Sequence, residues 1–261
     1  MKNIVPGILW QIPAVIFFFT GILFSETDIS PWVKDPILRE ISADIVFHLS
    51  FDGGNMQPEM ASGSSKFQAR GNPRFVPGFK GLALAVGGSQ TGLAFYENKL
   101  NFPIGSSGTM IMWVCPVAWT HYNGPNTVFA MTSNSSFYIE RQGPGHNEKG
   151  ELTRQEGVLF LINTPTAGNS CLNFGTANWQ EKKWRMLAAV WNWPEMAFSV
   201  DAGTFAVRSV KQPPLEKEFG SLIIGASGGE ETLLDEVYIF KRPLTHQELK
   251  TIYQLLGPPQ N

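Results

Sequence analysis

Two kinds of residue in this 261-residue chain have types and positions that suit chemistry: carboxylates set into apolar strands, and aromatic rings set into polar turns. Asp235 is the clearest of the first kind. In "TLLDEVYIF", residues 232–240, strict alternation puts Leu233, Asp235, Val237 and Ile239 on one face and Leu234, Glu236, Tyr238 and Phe240 on the other. A carboxylate on an apolar face is costly without a partner, so Asp235 either accepts backbone hydrogen bonds at the mouth of a turn or serves a ligand. Asp52, in "HLSFDGG", closes an earlier apolar run. The neighbouring acids Asp235 and Glu236, read on opposite faces, do not form a pair converging on one glycosidic bond. The histidines His48, His121, His146 and His246 lie in unlike contexts with no nucleophile signature beside them, so the pattern argues against catalysis.

The rings of the second kind are Trp119, His121 and Tyr122 in "WTHYNGP" and Trp193 in "WNWP". They fall at strand ends or turns, where a flat exposed ring can stack on a sugar; the alternative is a ring folded over its own loop. Trp113, Trp184 and Trp191 fall within apolar runs and read as packing. Cys115 and Cys171 also lie in apolar runs, and in an exported protein they either pair or act as small buried hydrophobes. Neither has metal-ligand spacing. "NSS" at Asn134 fits a glycosylation sequon, which matters only in a eukaryotic host.

The elements that must position these groups are short strands. The chain is 43% hydrophobic and 16% charged, with 26 Gly and 18 Pro, which suits one sizeable core built from many short strands and turns. From Asp44 onward thirteen apolar or alternating runs, most bounded by Gly, Pro, Asn or Ser, have the pattern of a two-sheet antiparallel β-sandwich. Two polar stretches, 53–80 and 142–156, interrupt the series as long loops. One helix is expected near the end: Thr245 and Glu248 form a T-x-x-E capping box, and Leu244, Leu249 and Ile252 supply an apolar face.

The net charge of −2 and the absence of a basic stripe exclude a nucleic-acid surface. At the N-terminus, Lys2 precedes an apolar run from Ile4 to Phe24, followed by Glu26 and Asp28. Residues 1–25 therefore read as a signal peptide or a membrane anchor, with membrane contact through residues 4–24 if uncleaved; either sends the remainder out of the cytoplasm. No Cys follows the run, so a bacterial lipoprotein anchor is excluded. Residues 26–42, with Pro31, Trp32 and Pro36, read as a linker, and residues 43–257 as the folded domain.

Several stretches of that domain, in order, resemble the laminin G-like (LamG-like) jelly-roll domains of the concanavalin A-like lectin and glucanase superfamily. "VFHLSFDGG" with "GFKGLALAVGG" is similar to the family's opening, "GTMIMWVCP" to its strand with a buried Trp, and "WRMLAAVWNWPEMAFSVDAG" to its paired strands ending in a V-D-G turn. "LLDEVYIFKRPLTHQEL" is similar to its closing strand and helix. The chain departs from the pattern at Met60, where the family's acid is expected, and at Trp184-Arg185-Met186 in place of W-H-H. The resemblance implies a jelly roll in which the strands bearing Asp52 and Asp235 run side by side, and hence a structural Ca²⁺ between those acids. It also implies that the exported module, read above as non-catalytic, binds extracellular carbohydrate or a glycosylated protein surface; the turn aromatics Trp119, His121, Tyr122 and Trp193 are the expected contacts. The alternative role is a structural or protein-interaction domain of a cell-envelope assembly.

Overall fold

Apolar residues at every second position, cut by Gly and Pro, produce a nearly all-β architecture in the computed structural model, which describes residues 32, 34–89, 92–120, 125–225 and 228–257. In chain order the strands are β1 Ile45–Leu49, β2 Met60–Ala61, β3 Phe67–Arg70, β4 Arg74–Pro77, β5 Leu82–Val86 and β6 Leu93–Tyr96. Next come β7 Ser107–Pro116, β8 Thr127–Thr132, β9 Phe137–Gln142, β10 Gly145–His146, β11 Leu152–Arg154 and β12 Gly157–Thr164. The last are β13 Gly168–Gly175, β14 Arg185–Asn192, β15 Glu195–Val200, β16 Ala206–Ser209, β17 Leu222–Gly225 and β18 Thr232–Phe240. Among the described residues two α-helices flank them, α1 Pro36–Ser42 and α2 His246–Leu256.

Nine strands form one sheet, ordered β16-β15-β14-β7-β18-β1-β2, with β5 also on β18 and β4 on β5. Seven form the other, ordered β13-β12-β9-β8-β17-β6-β3, and β10 pairs with β11 in a separate ribbon. The two large sheets enclose a core that includes Phe47, Phe129, Phe137, Phe160, Trp191 and Phe198. This is the expected jelly-roll sandwich.

A second core lies on the far side of the nine-stranded sheet, where Ile111, Trp113, Tyr238 and Phe240 meet Trp32, Leu38, Ile41, Leu249 and Ile252. The helices cover that face. The capping box of α2 forms as expected: Thr245 Oγ1 accepts from Glu248 N at 3.2 Å, and Glu248 Oε2 accepts from Thr245 N at 2.8 Å. The stretch expected to be a linker is instead partly this second layer. Asp35 caps α1 by accepting from Ile37 N (2.9 Å) and Leu38 N (3.1 Å), and Pro36 sits where its missing N–H is harmless.

Cys115 on β7 and Cys171 on β13 are unpaired and lie on different sheets. Residues 1–25, with the signal or anchor reading, lie outside the described residues; among those described, no helix is long and apolar enough to cross a membrane.

Strict alternation fails in β18. Its pairing with β7 runs Asp235↔Trp113 and resumes at Tyr238↔Ile111, so one extra residue is accommodated, and Glu236 takes a positive φ of 50° that is uncommon outside Gly. This bulge moves Asp235 off the face of Val237 and Ile239. It lies opposite Trp113, on the helix side, and the two acids expected on opposite faces end on the same side.

Candidate functional site

Both helices lie on the nine-stranded sheet, so among the described residues no α-helix covers the outer face of the seven-stranded sheet. Its residues follow from the register. In β12, Val158, Phe160 and Ile162 point into the core, which turns Leu161 outward. Cross-strand partners then continue the row from Leu161 to Tyr138, Met131, Ile223, Phe95 and Gln68. Leu161, Tyr138, Met131 and Phe95 are half-buried, leaving a mostly apolar row across the sheet.

At the Phe95 end the row opens into a groove of about 650 Å³, within the size range of ligand sites. Phe95 stands among Lys66, Gln68, Glu97, Asn98 and Ser221. Arg70, which pairs across from Leu93, brings its guanidinium to 4.5 Å from the Phe95 ring centroid. The groove residues 66–68 and 97–99 lie towards the opposite end of β6. Asn98 donates its amide to the Gly220 carbonyl, tying the 97–99 and 219–221 turns together. The arrangement joins one partly exposed ring to a set of amide, hydroxyl and charged hydrogen-bonding groups.

The acids Asp52 and Asp235 meet at the Gly78–Gly81 turn of the β4–β5 hairpin. Asp52 Oδ1 accepts from Leu82 N at 2.7 Å. Asp235 is fully buried, with Oδ2 accepting from Lys80 N at 3.0 Å and Oδ1 from Glu236 N at 2.9 Å. A Cβ at Gly81 would collide with the Asp52 carboxylate, and one at Gly78 with that of Asp235, so the two glycines form the cradle for both acids. Burial, reinforced by the nearby Glu236 and Asp52 charges, pushes the Asp235 carboxyl up to about 9 despite the Lys80 N–H. Two carboxylates supply only part of a Ca²⁺ shell, which takes six to eight oxygens. Among the described residues, no group of three or more His, Cys, Asp or Glu side chains gathers in metal-ligating geometry.

Of the predicted rim rings, Trp119 and Trp193 are not brought together. Trp119 is only 6% exposed: its indole N–H donates to Thr232 Oγ1 at 2.8 Å, Trp179 stacks on it at 5.5 Å, and the Arg141 guanidinium lies 4.9 Å from its ring. It is a core ring, because the turn after β7 folds inward over Arg141. Trp193 is half-buried, with its N–H bonded to Ile104 O at 2.7 Å. It follows the far end of β14, whereas Arg185 at the start of that strand packs on Trp179. The eight residues of β14 put about 25 Å between the two sites. His121 and Tyr122 lie outside the described residues.

Sequence reasoning missed Phe95, Arg70 and Gln68. Alternation in "GLAFY" does set Phe95 opposite Ala94 and Tyr96, but it cannot say which face is left open.

Among solved structures, the binding domain of botulinum neurotoxin DC in complex with SialylT matches with a TM-score of 0.65 at 15% identity, over 83% of this chain and 52% of that one. The same domain with rat synaptotagmin II matches at 0.63 and 16%, over 83% and 52%. A botulinum neurotoxin type C structure, from work on its dependence on two ganglioside molecules, matches at 0.63 and 14%, over 84% and 53%. This chain thus spans about half the length of those structures, and at such identity the likeness shows the fold alone. No curated protein sequence matches. The Laminin_G_3 family model matches residues 87–250, more than half of the chain, and the protein belongs to that family of the concanavalin A-like lectin and glucanase superfamily.

Proposed function

We propose that this protein is an exported, non-catalytic binding module that recognises extracellular carbohydrate or a glycosylated protein surface through the groove between β3, β6 and β17. The observation that carries the reading is Phe95. Its ring is partly exposed beside Gln68, Asn98 and Ser221, the combination that takes the C–H face of a sugar on the ring and its hydroxyls on the polar groups. Glu97 is the only carboxylate among the groove residues, which supports binding over glycoside cleavage by an acid pair. The neurotoxin binding domains of the same fold, determined with SialylT or synaptotagmin II, are consistent with a glycan or glycoprotein partner.

The test is a glycan array on the full chain followed by titration of the best hit. Phe95→Ala should weaken that binding about tenfold or more while changing stability by less than about 1 kcal/mol, since the ring is not part of the inter-sheet core. Unchanged affinity would remove the groove from the reading. A second reading, a protein partner, is favoured by the apolar row of Leu161, Tyr138 and Met131. Leu161→Arg should then abolish partner binding and spare glycan binding.

The same proposal places the sandwich outside the cytoplasm and a structural Ca²⁺ at Asp52 and Asp235, with carbonyls of the Gly78–Gly81 turn as further ligands. Export has a direct readout. A mature chain beginning near Glu26 decides for a cleaved signal, a membrane-bound full-length chain for an anchor at residues 4–24, and an intact soluble cytoplasmic chain removes both.

A further inference from the structure

The bulge in β18 shapes a second cavity, remote from the groove, on the helix side of the nine-stranded sheet. It holds about 130 Å³ and reaches from the sheet to Leu255 and Leu256 at the end of α2. Its walls are the rings of Trp32, Phe79, Trp113 and Tyr238. Phe79 stacks on Trp113 with centroids 5.3 Å apart, Tyr238 meets Trp113 edge-on at 6.4 Å, and Trp32 tilts against Tyr238 at 5.3 Å. The four rings therefore form one connected box.

Glu236, 2% exposed, supplies the only carboxylate of this box among the described residues. Its Oε2 is well served, by His48 Nε2 at 3.0 Å and by the Tyr238 hydroxyl, which donates to it. Its Oε1 is buried and has no hydrogen-bond partner. The Lys80 ammonium stands 3.6 Å from that oxygen, at ion-pair distance, on a side chain 34% exposed. The indole N–H of Trp113, fully buried, also lacks a hydrogen-bond partner. Buried polar atoms are seldom left unmatched, because each costs about 1–3 kcal/mol. Here a carboxylate oxygen held only by an ion pair and an indole N–H without a hydrogen bond belong to two residues that line one aromatic cavity.

We propose that this cavity binds a small organic cation, an alkylammonium group of at most about choline size, with its nitrogen beside Glu236 Oε1 and its carbons against the rings. Aromatic faces attract cations, most strongly when both are withdrawn from water, and the buried carboxylate adds its charge to that attraction. An inorganic divalent ion would find one carboxylate and no further oxygen shell. A volume of about 130 Å³ equals roughly four waters at about 30 Å³ each, room for a nitrogen with a few carbons. Lys80 is the built-in competitor, since its ammonium is the charge that a ligand must displace from Oε1.

The experiment is a tryptophan-fluorescence titration of the full chain with ethanolammonium chloride and with choline chloride, against sodium chloride at equal ionic strength. A saturable change is expected with at least one organic cation and none with sodium. Lys80→Met, which removes the competitor, should tighten binding about tenfold, and Glu236→Gln should weaken it by a similar factor or more. Tightening by Lys80→Met separates a ligand contact from a merely structural acid, and that arm decides if Glu236→Gln does not fold. No saturable response in either wild type or Lys80→Met, or equal affinity in the two, overturns the proposal.

Discussion

Trp119→Ala is expected to cost the fold about 3–5 kcal/mol and to leave glycan affinity of the folded protein unchanged. The ring belongs to the inter-sheet core, and its removal opens a cavity between Trp179 and Arg141. It also strips Thr232 Oγ1 of a donor at 2.8 Å. The neighbouring Arg141 is itself fully buried and ion-paired with Glu230, and it donates to Thr120 O at 2.7 Å and Pro125 O at 3.1 Å. Loosening the indole therefore disturbs a desolvated charge as well as apolar packing, which is why the loss belongs at the high end of the range. Denaturant unfolding measures it, with a shifted midpoint and an unchanged m-value. A loss below about 1 kcal/mol together with weaker glycan binding would return Trp119 to the rim.

Calcium is expected to raise the melting temperature of the wild type and to leave that of Asp235→Asn nearly unmoved. A ligand that binds only the folded state at a hundredfold excess over its dissociation constant stabilises by about 2.7 kcal/mol. In chelator a second signature appears. The Asp235 carboxyl is raised from 3.8 to about 9 in the fold, first by burial, so the folded state holds that proton more tightly than the unfolded chain does. This contribution to stability is complete below about pH 4 and is lost as the pH climbs towards 9, at up to about 1.4 kcal/mol per pH unit. A bound cation favours the ionised carboxylate and flattens that slope. Melting of wild type and Asp235→Asn across this pH range, with and without calcium, separates the cases. Equal curves in calcium and chelator would sink the metal and leave Asp235 as an acid that fixes the Gly78–Gly81 turn through its bonds from Lys80 N and Glu236 N.

Local chemistry alone was sufficient for much of this protein. Period-two alternation marked the strands, the Thr245–Glu248 box marked the start of α2, and the apolar setting of Trp113 and Trp191 marked them as core, because these depend on residues near in sequence. The start of α1 carries the same kind of signal, a capping Asp35 followed by Pro36 at the start of the helix, within a stretch whose prolines otherwise read as a linker. Tertiary structure decided the rest. Alternation says that Phe95 and Ala94 face opposite ways, whereas the packing of Ala94 into the inter-sheet core says which of them faces outward. The inward fold of Trp119 depends on Arg141, twenty-two residues later in the chain. The bulge at Glu236 exists only in the register of β18 against β7, and it is what brings Asp235 and Glu236 to the same side and leaves Glu236 Oε1 without a hydrogen bond. Strand periodicity is a property of the single chain, but burial, register and the pairing of charges are set by strands distant in sequence, and the candidate sites are made of those.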